Sequence, residues 1–357
     1  MSDTRLQTLT DWLAPQAARL DLSPDTLRPA SGDASFRRYF RVDAARPGRP
    51  SLVVMDAPPP QEDVRPFLHA ADALSSAGLT VPRVLARDVE RGFLLLEDFG
   101  GTTYFDALAV KPPDAGPDEG SRATLDPAAA HVLYLDAIDA LVRMQAASRP
   151  GTFPDYDRAL LSRELDLYPD WYVARHKGVA LDDDARNDLK AAFGLLLANN
   201  LAQPKVWVHR DWHVRNLMLL PGERNPGVLD FQDAVHGPIT YDLVSMLRDA
   251  YVRWDEERQL DWAIRYWERA RRAGLPVATD FGEFWRDLEW MGLQRHLKIL
   301  GIFARLWHRD GKDRYLADLP LVLRHATDTA RRYVALAPLA RLIDRIEGSA
   351  PAVGYTF

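Results

Sequence analysis

One stretch of sequence decides how this 357-residue chain is interpreted. An apolar run, Val206-Trp207-Val208, leads into the polar loop His209-Arg210-Asp211-Trp212-His213-Val214-Arg215-Asn216, and a second apolar run, 217–220, follows. A turn containing proline and glycine, residues 221–227, then returns the chain through Val228-Leu229 to Asp230-Phe231. The pattern predicts a strand, a loop and a hairpin, and the hairpin brings Asp230 back beside Asn216.

The chemical content of this stretch is two carboxylates and a carboxamide gathered at one rim. Carboxylate and amide oxygens are suitable ligands for Mg²⁺, and phosphoryl transfer also needs a base that orients an attacking hydroxyl. The spacing His-Arg-Asp-x-x-x-x-Asn, followed by Asp-Phe, is that of a kinase catalytic loop and its metal-ligand pair. The stretch therefore favours phosphoryl-transfer chemistry.

Two other interpretations of the same residues stay open at this point. His209 and Asp230, each taken alone, would be capping residues that bond backbone amides in turns. Alternatively, His209, Asp211 and His213, with His236 further on, would form the metal site of a zinc hydrolase. That second interpretation leaves Asn216 and Asp230-Phe231 without a role.

Composition excludes several classes of protein. Lys plus Arg is 45 against Asp plus Glu at 51, so the basic surplus of a nucleic-acid binder is missing. Cysteine is absent, which excludes disulfides and thiolate chemistry and fits a reducing compartment. No stretch approaches the roughly 18 to 20 apolar residues of a membrane span. We expect a cytoplasmic protein that binds neither nucleic acid nor membrane, and no protein partner is implied.

The pattern of apolar residues divides the chain near residue 100. In residues 1–100 the pattern predicts two helices, over 4–20 and 62–77, and a turn at 31–35. It also predicts four antiparallel strands, within 36–42, 51–55, 84–86 and 92–96. Residues 101–357 predict an exposed loop at 111–120 and mostly helices afterwards, including 131–147. The fold class is therefore α+β, with a small antiparallel sheet in the first lobe and a mainly helical second lobe.

Residues 25–330, and 209–242 most sharply, resemble the aminoglycoside phosphotransferase family of small-molecule kinases. The resemblance implies a protein-kinase-like two-lobe fold that uses ATP and Mg²⁺, with Asp211 as the catalytic base and Asn216 and Asp230 as the metal ligands. His209 is expected to brace the loop. Nucleotide contacts are expected from a phosphate-covering turn and from the connection between the lobes, at Ser31, Gly32, Ser35, Arg38, Glu97 and Phe99.

Segments 164–172 and 227–243 are similar to those of the family members that phosphorylate amino sugars in bacterial cell-wall recycling. This implies the anomeric C1 hydroxyl of an N-acetylated amino sugar as the acceptor. The candidate sugar contacts combine an aromatic ring, two cations and two hydrogen-bonding groups, namely Trp212, Arg175, Arg215, Gln232 and Asp233. A kinase for another small alcohol or an aminoglycoside, and a nucleotide-binding relative without turnover, are the competing hypotheses.

One feature departs from the family pattern. The family places a lysine on the third strand to hold the α- and β-phosphates, but the first lysine of this chain is Lys111, and Met55 stands about where that lysine belongs. Arg37, Arg38 or Arg41 is the expected substitute, and arginine and lysine are not equivalent donors. Glu62 is either the acidic partner of the substituting arginine or an acid in the first turn of a helix, where the helix dipole favours it.

Overall fold

The computed structural model describes residues 3–32, 36–110 and 124–348. The chain forms two compact units, Met1–Leu133 with Arg215–Asp233, and Tyr134–Val214 with Ala234–Phe357. This division differs from the boundary near residue 100 that the sequence predicts. The reason is that the chain continues in the first unit beyond that point, and that the hairpin after the polar loop 209–216, the predicted catalytic loop, pairs with first-unit backbone.

The first unit contains a five-stranded antiparallel sheet with the strand order β1-β2-β3-β5-β4. Its strands are β1 (Leu22–Gly32), β2 (Arg38–Ala44), β3 (Leu52–Asp56), β4 (Val84–Asp88) and β5 (Phe93–Glu97). The last four agree with the prediction within a few residues. The sequence does not predict β1, because Pro24 and Pro29 interrupt its pattern, and proline is tolerated at a sheet edge.

Strand β1 also corrects the turn expected at residues 31–35. Ser31 and Gly32 are the last residues of this strand, and their backbones pair with Tyr39 and Arg38 of β2. The remainder of the expected turn, which includes Ser35, lies outside the described residues.

Helix α1 (Thr4–Leu20) packs on one face of the sheet. Leu9 and Leu13 of this helix share a buried core with Phe40 and Val54 of the neighbouring strands β2 and β3. Successive side chains of a strand point to opposite faces. Residues that alternate with this core, such as Tyr39 and Val53, therefore face the other side of the sheet, where a cavity lies.

The rest of the first unit contains helices and short strand pairs. Helix α2 (Arg65–Ser76) precedes β4, and after β5 come α3 (Tyr104–Leu108) and the short paired strands β6 (Ala109–Val110) and β7 (Thr124–Leu125). A two-stranded hairpin follows the catalytic loop, with β9 (Leu217–Met218) antiparallel to β10 (Gly227–Val228) and a single turn of 3₁₀ helix, Gly222–Arg224, between them. Backbone bonds from Val228 to Thr80 and from Leu219 to Thr102 attach the hairpin to the first unit.

The second unit is mainly helical. The chain enters it within α4 (Pro127–Ala146) and forms α5 (Arg158–Leu167), a π-helical segment (Tyr168–His176), α6 (Asp183–Ala202), α7 (Tyr241–Leu247), α8 (Glu256–Arg272), α9 (Phe281–Asp310), α10 (Leu319–Arg332) and α11 (Ala337–Glu347), with 3₁₀ turns at Asp313–Asp318 and Val334–Leu336. Strands β8 (Lys205–Val208) and β11 (Val235–Pro238) pair antiparallel. Strand β8 delivers the chain to the catalytic loop.

Helix α9 is the central helix of the second unit. Its 30 residues pack against α5, α6, α7 and α10, and residues 291–301 are buried around the whole circumference. At Gly301 the helix approaches α5 so closely that a Cβ atom would lie 2.3 Å from the carbonyl oxygen of Leu167. Among the described residues, no helix has both the length and the apolar character needed to span a bilayer.

Candidate active site

A cavity of about 470 Å³ lies within the first unit. Strands β2, β3 and β5 contribute Tyr39, Val53 and Leu96 to its wall, and helix α2 contributes Phe67. Residues from the segment 215–232 complete the lining. The volume is within the range of small-molecule and cofactor sites.

The connection that follows β5 borders one side of this cavity, where the sequence predicts the nucleotide contacts Glu97 and Phe99. The Glu97 carboxylate bonds Arg83 at 3.0 Å and Arg224 at 2.7 Å. Burial acts to raise the pKa of the Glu97 carboxyl group, but these two arginines prevail and lower it. The Arg224 guanidinium also lies over the Phe99 ring, 5.7 Å from its centroid. Both predicted residues are therefore held in fixed positions at the cavity.

The predicted metal ligands meet at another part of the lining. Nδ2 of Asn216 lies 3.3 Å from Oδ2 of Asp230, and the backbone N–H of Leu229 donates to the Asn216 carbonyl at 3.0 Å. Gln232 donates to the other Asp230 oxygen at 2.8 Å. Asp230 has φ +63°, a left-handed conformation that is uncommon for residues other than glycine and that concentrates at functional sites. Asn216 and Asp230 thus offer adjacent hard oxygen donors, which fit a Mg²⁺ ion.

Arg38, which the sequence predicts as a phosphate contact, lies on the wrong face of the sheet. Its guanidinium pairs with Asp56 at 2.6 Å and with Asp3, the residue that caps helix α1. It shares this face with Phe40, over whose ring it lies. The prediction for Arg38 is therefore wrong, because strand alternation directs this side chain towards α1 and away from the cavity.

Arg41 does face the cavity, but acidic and carbonyl groups already hold it. Its Nε and Nη2 atoms bond the two oxygens of Asp98 at 2.6 and 3.0 Å, and Nη2 also donates to the Gly100 carbonyl at 2.9 Å. This two-point pair joins β2 to the connection after β5, so Arg41 stabilises the cavity wall.

The catalytic loop begins in the second unit and is held there by Asp242 of helix α7. The fully buried Asp242 carboxylate accepts the backbone N–H groups of His209 at 2.7 Å and Arg210 at 2.9 Å. Burial raises the pKa of Asp242 to about 7, and the two N–H donors act in the opposite direction. Arg210 itself has φ +78°, so the loop turns sharply just before Asp211.

Asp211, the predicted base, lies in a positively charged environment. Burial acts to raise the pKa of its carboxyl group, but the charges of Lys298, His213 and Arg295 prevail and lower the pKa below its ordinary value. The backbone N–H of Asp211 donates to Nδ1 of the buried His209 at 3.3 Å. This contact is the bracing role expected for His209.

Glu164 of helix α5 anchors the side of the loop formed by Arg210. Its buried carboxylate accepts hydrogen bonds from Tyr156 and Arg210, and Nζ of Lys298 lies 2.9 Å away. Lys298 also donates to the Tyr241 hydroxyl at 3.1 Å. Burial acts to raise the pKa of Glu164, but the two neighbouring cations prevail and lower it. Two cations and one acid thus form a buried ionic cluster beside the catalytic loop.

The sequence pattern alone does not predict the roles of Asp242, Glu164 and Lys298. One signal was available, because each is a charged residue within a helix face that is otherwise apolar, as in the run His296-Leu297-Lys298-Ile299-Leu300. Such a residue is rarely buried unless it is paired. Its partners, however, could not be named from the sequence.

The five predicted sugar contacts have different environments in the structure. Trp212 is fully buried with its ring against His209, so it cannot stack on a sugar, and this prediction is wrong. Arg215 and Gln232 line the cavity of the first unit, the former with its guanidinium over the Phe105 ring. Arg175 is exposed on the π-helical segment.

Asp233, the fifth predicted sugar contact, lies within electrostatic reach of Arg37. Both residues belong to the first unit. Sugar recognition by Asp233 stays a prediction.

The zinc-hydrolase alternative receives no support. In the part of the chain that the structure describes, no group of three or more His, Asp or Glu side chains is arranged to hold a metal ion. Nδ1 of His209 accepts from the Asp211 backbone, and Nδ1 of His236 lies 3.3 Å from Asp155. These two rings are therefore directed to different partners.

Comparison with known proteins identifies the family. Residues 26–278 match the sequence profile of the family described as APH, phosphotransferase enzyme family. A Pseudomonas aeruginosa protein named N-acetylmuramate/N-acetylglucosamine kinase is 47% identical over 357 residues, covering 98% of this chain and 99% of that protein. A Neisseria meningitidis protein of the same name is 46% identical over 350 residues, covering 98% of each. This chain therefore belongs to the APH phosphotransferase family, and it is an enzyme of the kinase class.

The fold class is confirmed by solved structures. Choline kinase LicA from Streptococcus pneumoniae matches with a TM-score of 0.60, covering 91% of this chain and 99% of LicA. An ADP-bound aminoglycoside phosphotransferase, APH(2'')-Ib, matches with a TM-score of 0.57, covering 92% of this chain and 99% of that protein. The identities are 11% and 13%, so these similarities concern the fold alone.

Proposed function

We propose that this protein transfers the γ-phosphoryl group of ATP to the anomeric C1 hydroxyl of N-acetylmuramate and N-acetylglucosamine, forming sugar 1-phosphates for cell-wall recycling. The observation that carries the proposal is the 44% to 47% identity, over 98% of this chain, to relatives named for these two sugars. Similarity of that extent includes both units and the loop that joins them. The residues Asp211, Asn216 and Asp230 supply the groups that the reaction needs.

The acceptor hydroxyl is activated by Asp211. The oxygen on C1 attacks the γ-phosphorus, the bond from that phosphorus to the β,γ-bridging oxygen breaks, and ADP leaves. The proton of the hydroxyl passes to the Asp211 carboxylate, which is ionised at neutral pH because its pKa lies below the ordinary value. An anomeric hydroxyl is more acidic than an ordinary sugar alcohol, so a weakly basic carboxylate suffices. Most of the rate then comes from positioning and charge stabilisation.

The nucleotide is assigned to the cavity of the first unit. The connection at Glu97 and Phe99 would hold the adenine end. Asn216 and Asp230 would hold Mg²⁺, which neutralises charge on the phosphates. Gln232 orients the Asp230 carboxylate through its 2.8 Å bond. Because the reaction consumes ATP, we place the protein in the cytoplasm.

The test is phosphorylation of a panel of acceptors. The purified protein is incubated with Mg²⁺-ATP and, separately, N-acetylmuramate, N-acetylglucosamine, kanamycin and choline, and ³¹P NMR locates any new phosphate. We expect phosphate on C1 of the two amino sugars. Phosphate on kanamycin or choline alone would overturn the acceptor assignment, and ATP binding without any transfer would favour a nucleotide-binding module.

The variant Asp211→Asn tests the base. We expect kcat to fall by roughly 10²- to 10⁴-fold, because the amide cannot take the proton, with little change in ATP affinity. The matched control is Asp183→Asn, since the Asp183 side chain is 96% exposed at the start of helix α6. A kcat for Asp211→Asn within twofold of the control would remove Asp211 from the mechanism.

A further inference from the structure

The phosphates of ATP carry several negative charges, and the first unit must supply a cation for them. No lysine occurs in residues 1–110 or 215–233, so the candidate cations in these two segments are arginines. Arg38 faces helix α1, and Arg41 is held by Asp98. Arg83 and Arg224 both pair with Glu97 at the connection after β5.

Arg215 lines the cavity with its guanidinium over the Phe105 ring, and Arg37 is the other candidate. Arg37 directly precedes β2, and its guanidinium hydrogen-bonds Tyr39, which lines the cavity. Arg37 lies within electrostatic reach of Asp233, three residues after the metal ligand Asp230. The charge of Arg37 therefore acts on the segment that follows the predicted metal ligand.

Glu62, just before helix α2, fixes the direction of the Arg37 side chain. Nε of Arg37 donates to one Glu62 oxygen at 3.0 Å, and the backbone N–H of Phe36 donates to the other at 3.3 Å. The two charged side chains are only 13% and 12% exposed. The same guanidinium also hydrogen-bonds Tyr39. Because a guanidinium has five N–H donors in one plane, it can bond a carboxylate, a hydroxyl and a phosphate together.

We infer that Arg37 binds the phosphates of the nucleotide and that Glu62 positions it, in place of a lysine on the third strand. Met55 of β3 lies directly across from Tyr39 and is 1% exposed, and Val53 of the same strand lines the cavity. Strand β3 therefore contributes apolar side chains, and the segment before β2 contributes the cation. The arrangement still pairs a cation with an acid near a helix start, as kinases pair lysine with glutamate. The inference rests on the proposed use of ATP but on no particular acceptor.

The experiment compares ATP with adenosine, which lacks the phosphates. Dissociation constants for both are measured by calorimetry in the full-length protein, without any sugar, for Arg37→Ala, Arg37→Lys and Glu62→Gln. We expect Arg37→Ala to weaken ATP binding roughly 10- to 100-fold and to leave adenosine binding within about twofold. Arg37→Lys should recover part of the loss, because a point charge replaces a two-point contact. Glu62→Gln should weaken ATP binding less than Arg37→Ala does.

The control is Arg28→Ala, which removes an exposed ion pair with Asp43 in the same sheet and should change neither constant. Unchanged ATP affinity in Arg37→Ala would overturn the inference, as would an equal loss for ATP and adenosine. So would loss of ATP selectivity in Arg215→Ala but not in Arg37→Ala, because Arg215 also borders the cavity.

The outcome separates the two proposals. Selective loss of ATP binding in Arg37→Ala, together with failure to phosphorylate any amino sugar, would reject the acceptor assignment and keep the inference. Normal ATP binding in Arg37→Ala, together with phosphate on C1, would reject the inference about Arg37 and keep the acceptor assignment.

Discussion

Replacing Glu164 by Gln tests the buried ionic cluster beside the catalytic loop. The carboxylate of Glu164 is the shared acceptor of Tyr156, Arg210 and Lys298, and the amide keeps its shape but removes its charge. Two unit charges 2.9 Å apart, the separation of Lys298 and Glu164, interact by about 6 kcal/mol at an effective dielectric constant of about 20. Removing one partner of a buried pair leaves a net cost of about 3–5 kcal/mol.

The measurement is guanidinium-induced unfolding together with kcat. We expect the free energy of unfolding to fall by about 3–5 kcal/mol. We also expect kcat to fall by at least about tenfold, since Arg210 turns the chain into Asp211 and small displacements of a catalytic group are costly.

The matched control is Glu268→Gln on helix α8. Glu268 pairs with Arg272 at 3.1 Å, but its side chain is 49% exposed. Exposed pairs four residues apart contribute about 0.3–0.5 kcal/mol. If Glu164→Gln cost no more stability than the control and kept its kcat within twofold, the loop would not depend on this cluster.

Two further substitutions test the base and the cavity. Of the positive charges that lower the pKa of Asp211, Lys298 has the largest effect, so Lys298→Met should raise that pKa. We therefore expect the acidic limb of the kcat/KM profile to move to higher pH. An unmoved limb would contradict the role of Lys298. Gly227→Ala places a Cβ atom 2.7 Å from the Phe99 ring. We expect the KM for ATP to rise several-fold and the free energy of unfolding to fall by about 1–3 kcal/mol. The control is Gly194→Ala, where a Cβ atom meets nothing within 4 Å and the KM for ATP should not change.

The elements that the sequence predicts are those with a strong local pattern. Strands β2 to β5 and helices α1 and α2 have the apolar spacing of strands and helices, and the structure contains them at nearly the predicted positions. Strand β1 has two prolines and an irregular register with β2, and only its partner strand identifies it. The hairpin at 217–228 was predicted, but its attachment to Thr80 and Thr102 was not, because those bonds join residues distant in the chain.

The candidate site divides in the same way. The order Asp211, Asn216, Asp230 is visible in the sequence, because one loop and one hairpin hold all three within 20 residues. Asp242 lies 33 residues after His209, and Glu164 lies 46 residues before Arg210, so their contacts with the loop arise only when helices pack. A charge in an apolar helix face signals that a partner exists without naming it.

The sequence by itself therefore determined the kind of chemistry, since its reactive groups occur at short, fixed spacings along one segment. The tertiary structure decided which charged residues serve that chemistry and which stabilise the fold. The consecutive residues Arg37 and Arg38 show the reason, because these neighbours in the chain pair with different acidic residues. Once β2 is paired in register, Arg38 is directed to α1 and Arg37 to Glu62, and that choice depends on the sheet as a whole.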